Sequence, residues 1–167
     1  MPQNRPQVYF VCIRKDSYKE GAFNWPESME CSSVERFLEQ CELKPTLLNL
    51  QLPQGQASEK WTATMAKLLR DAEPLQHTYL FNLHGSIGYG GTAMLEKCPC
   101  LCRSDGDVWI SSHGRAFNLR ERCRLQGMSP DKLKVVVSGP QWRKQLGNAM
   151  SVNMLGRLLA RLLPAAG

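Results

Sequence analysis

The stretch NLRERCRLQG, from Asn118 to Gly127, carries the clearest structural signal in the chain. Asn118 and, three residues later, Glu121 form a capping-box pattern, in which each side chain accepts a hydrogen bond from a backbone N–H at a helix start. Gly127 stands where a helix C-cap belongs, because glycine adopts the left-handed backbone conformation without a steric penalty. The pattern predicts a helix bounded by these residues.

The segment RKQLGNAMSVNMLGRLL, residues 143–159, predicts the last helix of the chain. We expect this helix over about residues 149–163, with its end at Pro164. Its apolar stripe consists of Val152, Leu155, Leu158, Leu159, Leu162 and Leu163. A helix that begins after Gly147 and Asn148 would place an asparagine amide beside unpaired backbone N–H groups, which suits a polar ligand. An asparagine that only caps a packing helix is the alternative.

Three apolar runs predict strands. VYFVCI, from Val8 to Ile13, predicts a buried strand followed by a turn. A buried strand so near the terminus needs neighbours on both sides, and those neighbours would have to come from elsewhere. TYLFNL, residues 78–83, predicts another strand, and CPCLCRSDGDVWIS, residues 98–111, predicts two short strands. We expect an Asp-Gly hairpin at residues 104–106 to join those two.

Two more helices are predicted in the first half of the chain. SSVERFLEQCEL, from Ser32 to Leu43, repeats the capping-box pattern with Ser32 and Glu35. A second helix follows a linker at residues 52–60 and has one apolar face. That face consists of Trp61, Met65, Leu68 and Leu69. A short helical connector with Pro130 in its first turn is expected before the closing segment.

Length and composition restrict the class of protein. With 167 residues, the chain holds one domain, or one small domain and part of another. It is 43% hydrophobic and 22% charged, which is an ordinary globular composition. No apolar run approaches the ~18 residues of a membrane span, and the first ten residues lack a secretory-signal pattern. Seven cysteines, an odd number, fit reduced thiols. We therefore expect an intracellular protein without a membrane partner, nuclear if its organism is a eukaryote.

Positive charge is concentrated toward the C-terminus. The net charge is +6; residues 112–167 hold ten Lys or Arg against two acids, whereas residues 1–111 hold eleven against thirteen. A basic surface of this kind suits the phosphate backbone of a nucleic acid. On charge alone, a solvated surface with no nucleic-acid partner is the alternative.

Three segments, taken in order, resemble DNA cytosine-5 methyltransferases. MPQNRPQVYFVCIRKD, followed by FNWPES, resembles the family's Gln-x-Arg-x-Arg segment, its next strand and its Phe-x-x-Pro loop. HGRAFNLRERCRLQGM is similar to the family's Arg-Glu-x-x-Arg-x-Gln-Gly helix, and QLGNAMSVNMLGRLL to its closing Gly-Asn segment. The three segments keep the family's order around a variable middle, and residues 45–97 have no match.

The resemblance implies an α/β fold in two parts. One is a partial, doubly wound S-adenosylmethionine-dependent methyltransferase fold, to which the first strand and the closing helix belong; the other is a small α+β target-recognition domain. Residues 1–44 would end the catalytic domain, residues 45–137 would read DNA, and residues 138–167 would return to the catalytic domain. In the family, the methyl-donor glycine loop and the Pro-Cys nucleophile precede the Gln-x-Arg-x-Arg segment. The resemblance therefore implies a missing N-terminal half, from the same gene or a separate subunit, and a chain that is inactive alone.

The implied reaction is methyl transfer from S-adenosylmethionine to C5 of a cytosine flipped out of DNA, where a cysteine thiolate attacks C6. The family uses arginines as fixed charges near the base, and its two positions hold Arg5 and Gln7 here. Because Gln7 is uncharged, the loss of about 1.5–3 kcal/mol would slow the chemistry roughly ten- to a hundredfold. The residues placed at the methyl donor are Asn148, Ala149 and Met150. Those suited to DNA phosphates are Arg115, Arg120 and Arg124.

Several alternatives stay open. The arginines of residues 118–127 also brace the small domain internally in the family, so bracing stands beside DNA contact. Pro99 and Cys100 echo the nucleophile pair, but they follow Arg5 instead of preceding it. A zinc site is another interpretation of that stretch, although structural zinc prefers paired C-x₂₋₄-C spacing. Its ligands would be Cys98, Cys100, Cys102 and His113. For the whole chain, the alternative function is a non-catalytic DNA-binding or regulatory remnant of such an enzyme.

Overall fold

The structure is a computed structural model, and it describes residues 2–41, 52–84, 93–101 and 107–166. Its helices are α1 (Gln56–Asp71), α2 (Leu119–Leu125), α3 (Gly139–Asn148) and α4 (Val152–Ala165). Its strands are β1 (Gln3–Asn4), β2 (Tyr79–Asn82), β3 (Met94–Leu95), β4 (Cys98–Pro99), β5 (Val108–Ile110) and β6 (Arg115–Ala116). Short 3₁₀ turns lie at Val34–Phe37, Ser111–His113 and Pro130–Lys132. In this described part, no helix has the length and apolar character needed to cross a bilayer.

A four-stranded antiparallel sheet in the order β3-β2-β5-β6 forms the centre. Leu80 pairs with Ile110, and Phe81 with Trp109. Because successive strand residues point to opposite faces, these pairs supply one core on each side of the sheet. Helix α1 covers the face of Phe81 and Trp109, where its Met65 is 2% exposed. The prediction of β2 is confirmed, and so is that of α1, although α1 begins at Gln56, inside the stretch predicted as a linker.

The opposite face of the sheet is covered by pieces from distant parts of the chain. Leu80 and Ile110 pack there with side chains from the first 3₁₀ turn, from β4 and the residues after it, and from α2 and the residues before it. These residues are Val34, Cys98, Leu101, Phe117 and Leu125, and all are buried. Strand β4 does not join the sheet but pairs in parallel with β1. The N-terminal segment is therefore part of the same core as the sheet.

Helix α2 is fixed by a carboxylate that has no exposure to solvent, that of Glu121. Arg115 donates to it through Nη1 and Nη2, at 2.9 and 2.7 Å. The backbone N–H groups of Asn118 and Glu39 donate to it as well, each at 2.9 Å. The side chain of Asn118 in turn accepts from the backbone of Glu121, which completes the predicted capping box. One carboxylate thus joins β6, α2 and the N-terminal segment.

The end of α2 is joined to both closing helices through Gln126, which is completely buried. Its Nε2 donates to the carbonyl of Leu146 at 2.8 Å, and its own carbonyl accepts from the N–H of Val152 at 2.9 Å. The next residue, Gly127, has a φ of 75°, and a Cβ there would lie 2.8 Å from the side chain of Asn153. The positive φ favours glycine, and any other residue there would also displace the Asn153 side chain, so the predicted C-cap is confirmed.

The first helix predicted in the chain is wrong. The helix expected over residues 32–43 is only the single 3₁₀ turn Val34–Phe37, and residues 42–43 lie outside the described part. Ser33, not Ser32, caps this turn, because its Oγ accepts from the backbone N–H of Glu35 at 3.3 Å. The side chain of Glu35 does not close a capping box but accepts from Thr78 Oγ1 at 2.5 Å. On α1, Leu69 is 50% exposed and does not belong to the buried face.

The strand predicted over Val8–Ile13 is also wrong, because no neighbouring strand pairs with it in the described part of the chain. Val8 is 81% and Phe10 is 89% exposed. The expected pairing of β4 with β5 is wrong as well, since β4 pairs with β1 and β5 pairs with β2 and β6. The predicted turn at residues 104–106 lies outside the described part.

The closing segment holds two helices where one was predicted. Helix α3 begins with a capping box of Ser138 and Gln141 and a proline in its first turn. Its last residue is Asn148, and α4 starts only at Val152 and includes Pro164 in its final turn. The predicted last helix is therefore confirmed as α4, but its predicted start directly after the Gly-Asn pair is wrong, because this pair ends α3. The groups beside Asn148 are helix C-terminal carbonyls instead of unpaired N–H groups.

Replacing Glu121 with glutamine keeps the shape of the side chain and removes the charge that Arg115 pairs with. We expect the free energy of unfolding to fall by about 3 kcal/mol, near the lower end for broken buried ion pairs. Urea denaturation followed by tryptophan fluorescence measures this change. The control is Glu30→Gln at an exposed position, which should cost less than about 0.5 kcal/mol. Equal losses in the two variants would contradict the prediction.

The effect of the same variant should depend on pH. Burial raises the pKa of Glu121, but hydrogen bonds from Arg115, Glu39 and Asn118 outweigh it and hold the pKa below the ordinary 4.5. A carboxyl group with a lowered folded-state pKa stabilises the fold fully above pH 4.5, and this contribution is lost as the pH falls through that lowered pKa. The stability difference between wild type and Glu121→Gln should shrink over that acidic range.

Candidate functional site

Arg5 lies where three parts of the chain meet. Its Nη1 donates to the carbonyl of Leu101 at 2.9 Å, just after β4. Its Nη2 donates to the carbonyl of Gly147 at 3.2 Å, in the last turn of α3. The guanidinium group therefore connects the N-terminal segment, the chain after β4 and the closing segment. Its positive charge also offsets the negative end of the α3 dipole.

Gln7, the second position predicted near the base, has different surroundings. Its side chain is exposed, and its Oε1 accepts a hydrogen bond from the Tyr9 hydroxyl at 2.7 Å. This contact stays within the same short segment, whereas Arg5 contacts residues 96 and 142 positions away. The two predicted residues are thus near in sequence but play different parts in the fold.

Helix α3 has one face toward the body of the chain and one toward solvent. On the inner face, Arg143 Nη1 lies 2.9 Å from Asp107 Oδ1, and Leu146 is 1% exposed. The outer face borders an open pocket of about 380 Å³. The pocket is lined by Val137, Gln141, Lys144, Gln145 and Asn148. This arrangement leaves the outer face available to a polar ligand.

The three residues predicted at the methyl donor lie together at the end of α3. Asn148 is exposed and lines the pocket, Ala149 is half-buried, and Met150 is 39% exposed. The N–H of Ala149 donates to the carbonyl of Gln145 at 2.9 Å and so closes the helix end. Only the side chain of Asn148 among the three offers hydrogen-bonding groups to the pocket.

Each arginine predicted to contact DNA is paired with an acidic side chain. Arg115 pairs with Glu121, while Arg120 and Arg124 both contact Glu39, at 3.1 and 3.2 Å. Arg120 also lies 2.5 Å from Asp131, and its side chain is 50% exposed, against 20% for Arg115 and 29% for Arg124. The contacts are those of internal bracing, and Arg120 presents the largest free surface.

Asp107 and Glu39 each pair with two arginines, and the sequence did not predict these pairs. Asp107 lies between two arginines: Arg143, and the buried Arg122, whose Nη2 is 3.7 Å away. Glu39 accepts from Asn118 Nδ2 at 2.7 Å in addition to its arginine contacts. No local sequence pattern predicts these pairs, because the partners are tens of residues apart. The only indication of these pairs in the sequence is that acidic residues are scarce around the basic helix α2, so that its arginines take acidic partners from elsewhere in the chain.

The candidate zinc ligands do not come together in the described part of the chain. Cys98 is buried in β4, Cys100 is half-buried, and Cys102 lies outside the described residues. Both ring nitrogens of His113 have other contacts: Nδ1 lies 3.0 Å from Ser112 Oγ, and Nε2 lies 3.2 Å from the carbonyl of Glu39. Burial, and after it the charge of Arg115, lowers the pKa of His113.

A family model for the C-5 cytosine-specific DNA methylases matches residues 1–163. The chain belongs to this family. The match covers all three segments that resemble the family, and the helices and small sheet are compatible with an α/β fold. Membership supports DNA cytosine methyltransferase function, with DNA as the substrate. No curated protein matches the chain significantly.

Replacing Arg5 with alanine removes both hydrogen bonds to distant carbonyls in this methylase chain. We expect the free energy of unfolding to fall by about 2 kcal/mol, since hydrogen bonds from a charged group contribute about 1.5–3 kcal/mol. Arg5→Lys should recover only part of this loss, because an ammonium group lacks the fork that reaches two acceptors. Urea denaturation measures both changes. An exposed arginine on α1 provides the control, Arg70→Ala, and an equal effect there would rule out a special role for Arg5.

Proposed function

We propose that this chain is the C-terminal part of a DNA (cytosine-5)-methyltransferase that acts with a further polypeptide half. That half carries the cysteine nucleophile and the main S-adenosylmethionine motifs, either in the same protein or in a separate subunit. In this proposal, residues 1–44 and 138–167 complete a doubly wound catalytic domain, and residues 45–137 read DNA. The family match supports the reaction, and one structural observation carries the need for a partner half.

That observation is the exposure of the apolar segment Val8–Ile13. The segment is apolar at every position, yet it has no strand partner in the described part of the chain, and Val8 and Phe10 are almost fully exposed. A continuous apolar run is typical of a strand that is buried on both faces within a sheet. An exposed strand-forming segment of this kind is also a template for pairing with another chain. The segment therefore has the composition of a central strand without its neighbours.

Two further apolar surfaces are consistent with the same partner half. One is the other side of residues 8–13, and the other is helix α4. Val11 and Ile13 line an open pocket of about 370 Å³ together with Tyr18, Phe23 and Trp25. Helix α4 contacts this N-terminal region, because Arg157 donates to the carbonyl of Glu27 at 2.7 Å. Its exposed apolar residues are Val152, Leu159 and Leu163, with exposed fractions of 45%, 42% and 64%. The partner half would cover both surfaces.

In this proposal, the methyl donor binds at the end of α3 in the closing segment. When bound, S-adenosylmethionine supplies the methyl group of the reaction. The residues that would hold it are Asn148, which lines the pocket on α3, and the next two residues, Ala149 and Met150. The pocket of about 380 Å³ is of the size of small-molecule sites, and Gln141, Lys144, Gln145 and Asn148 bring polar groups to its edge.

Arg5 and Gln7 would act on the side of the flipped cytosine. Arg5 holds the chain after β4 and the end of α3 in one position and keeps a fixed positive charge at their junction. Gln7 can donate a neutral hydrogen bond in place of the charge-assisted one that the family uses. For DNA, we propose phosphate contacts by Arg115, Arg120 and Arg124. The half-exposed Arg120 is the best placed of these.

A non-catalytic DNA-binding or regulatory role is the second candidate. The observation that favours it is Gln7, which brings no charge and already bonds to Tyr9. Under this alternative the chain would bind DNA, and supplying the other half of a methyltransferase would not produce methyl transfer.

The purified chain alone should transfer no methyl group to DNA, because the segments that resemble the family include no nucleophile. Co-expression with an N-terminal half that carries the Pro-Cys and glycine-loop motifs should give transfer of labelled methyl groups to cytosine. A half in which the nucleophilic cysteine is replaced by alanine is the control. Transfer by the chain alone would overturn the proposal, and DNA binding without transfer by the complete pair would favour the second candidate.

The isolated chain should self-associate through its exposed apolar surfaces. Phe10→Asp places a charge on the unpaired segment, and we expect it to shift the chain toward monomer in size-exclusion chromatography with light scattering. Leu52→Asp is the matched control, because Leu52 is 60% exposed but lies outside these surfaces. A wild-type chain that is monomeric and melts sharply and reversibly would contradict the prediction.

A further inference from the structure

Residues 133–137 connect the last 3₁₀ turn to α3 without pairing with any strand in the described part of the chain. Leu133 has the backbone angles of a strand, with φ −101° and ψ 128°. Three consecutive valines follow Lys134, and valine is a β-branched residue that favours strands. From Lys134 to Val137, no backbone N–H or carbonyl makes a hydrogen bond to another described residue. The segment therefore has the composition and the free backbone groups of an unpaired strand.

Alternate side chains of this segment lie in a groove between α2 and α3. Leu133, Val135 and Val137 line a cavity of about 290 Å³, together with Leu119 of α2 and Trp142 of α3. Residues two apart on an extended chain point to the same face, so this lining has the periodicity of a strand. When a peptide adds to a strand edge, cavities of this kind bind alternate side chains of the added peptide.

The rim of this groove is basic. Lys132 and Lys134 are exposed, and neither makes an ion pair with any residue that the structure describes. The two acids in the C-terminal third of the chain are already engaged, since Glu121 is buried and Asp131 lies 2.5 Å from Arg120. Positive charge is thus left beside the free backbone groups, and an acidic partner complements it.

A peptide complements this surface better than DNA does. The phosphate backbone of DNA would pair with the two lysines, but it offers neither an apolar side chain to the cavity nor alternating donors and acceptors to the segment. It would also leave uncovered Val136, which is 81% exposed. An extended peptide supplies all three kinds of contact.

We propose that residues 133–137 are the docking site for an extended acidic peptide of a partner protein, which adds to this segment as a β-strand. The peptide backbone pairs with the free N–H and carbonyl groups, and an apolar side chain enters the groove. Its acidic side chains lie beside Lys132 and Lys134. The inference is independent of the proposed function, because the residues it uses belong to α2, α3 and the connection between them.

The test titrates the full chain into a fluorescein-labelled peptide in which aspartate and valine alternate, and binding is followed by fluorescence anisotropy. A peptide with lysine in place of each aspartate should bind about tenfold more weakly, because its charge repels the rim. Two further peptides carry methyl groups on the backbone nitrogens of either the valines or the aspartates. Since alternate N–H groups of a strand point to opposite edges, one of these two peptides should lose binding and the other should retain it.

Lys134→Glu reverses one charge at the rim of the groove. We expect it to weaken binding of the aspartate peptide about three- to tenfold and to strengthen binding of the lysine peptide, as for an exposed charge pair turned into a repulsion. Lys67→Glu is the matched control, because it makes the same change at an exposed lysine on α1 and should alter neither affinity. Circular dichroism of each variant shows whether its fold is retained, and the peptide comparisons require no variant.

Three results would overturn the inference. The first is that the wild-type chain binds the aspartate peptide no better than the lysine peptide, or binds neither. The second is that both methylated peptides bind as tightly as the unmethylated one, because strand addition would then be excluded. The third is that Lys134→Glu weakens binding of a DNA duplex but leaves that of the aspartate peptide unchanged, which would assign the basic rim to DNA.

Discussion

The buried carboxylate of Glu121 is the constraint on which the rest of the structure depends. Transfer of a carboxylate from water into a protein interior costs several kcal/mol, and only a full set of donors offsets that cost. Here the donors come from Arg115 on β6, from the backbone of Asn118 at the start of α2, and from the backbone of Glu39. Any arrangement that displaced one of these three elements would leave the buried carboxylate without part of its donor set. The N-terminal segment, the sheet and α2 are consequently held in one geometry.

This constraint also determines which of the three arginines proposed for DNA contact are exposed. Because Glu121 and Glu39 lie beside the basic helix, they neutralise part of the charge that the sequence places there. Arg115 is largely covered by its ion pair, whereas Arg120 keeps half of its surface exposed between Glu39 and Asp131. The pKa of Arg120 is raised and that of Asp131 lowered, first of all by the hydrogen bond between them, but exposed pairs of this kind contribute little stability.

The elements that could be predicted from sequence are those whose signals are local. Helix α2 is bounded by a capping box and a glycine within ten residues, and α1 shows its apolar face over three turns. The same reasoning missed α3, although Ser138 and Gln141 form a capping box there as well. Val8–Ile13 was predicted wrongly because strand formation depends on neighbours, and composition alone does not supply them. The contacts of Arg5 and Asp107 could not be predicted, since their partners are distant in the chain.

Arg5 and Asp107 together explain how the two proposed ligand sites are related in space. Both act on α3: Arg5 binds the carbonyl of Gly147, and Asp107 pairs with Arg143 one turn earlier on the same face. The partners of α3 in these contacts belong to the N-terminal segment and to the start of β5, both outside the closing segment. The inner face of α3 is thereby joined to the N-terminal segment by Arg5 and to the region proposed to read DNA by Asp107, while its outer face borders the pocket proposed for the methyl donor. In the proposal, the same ten-residue helix therefore lies between the two sites.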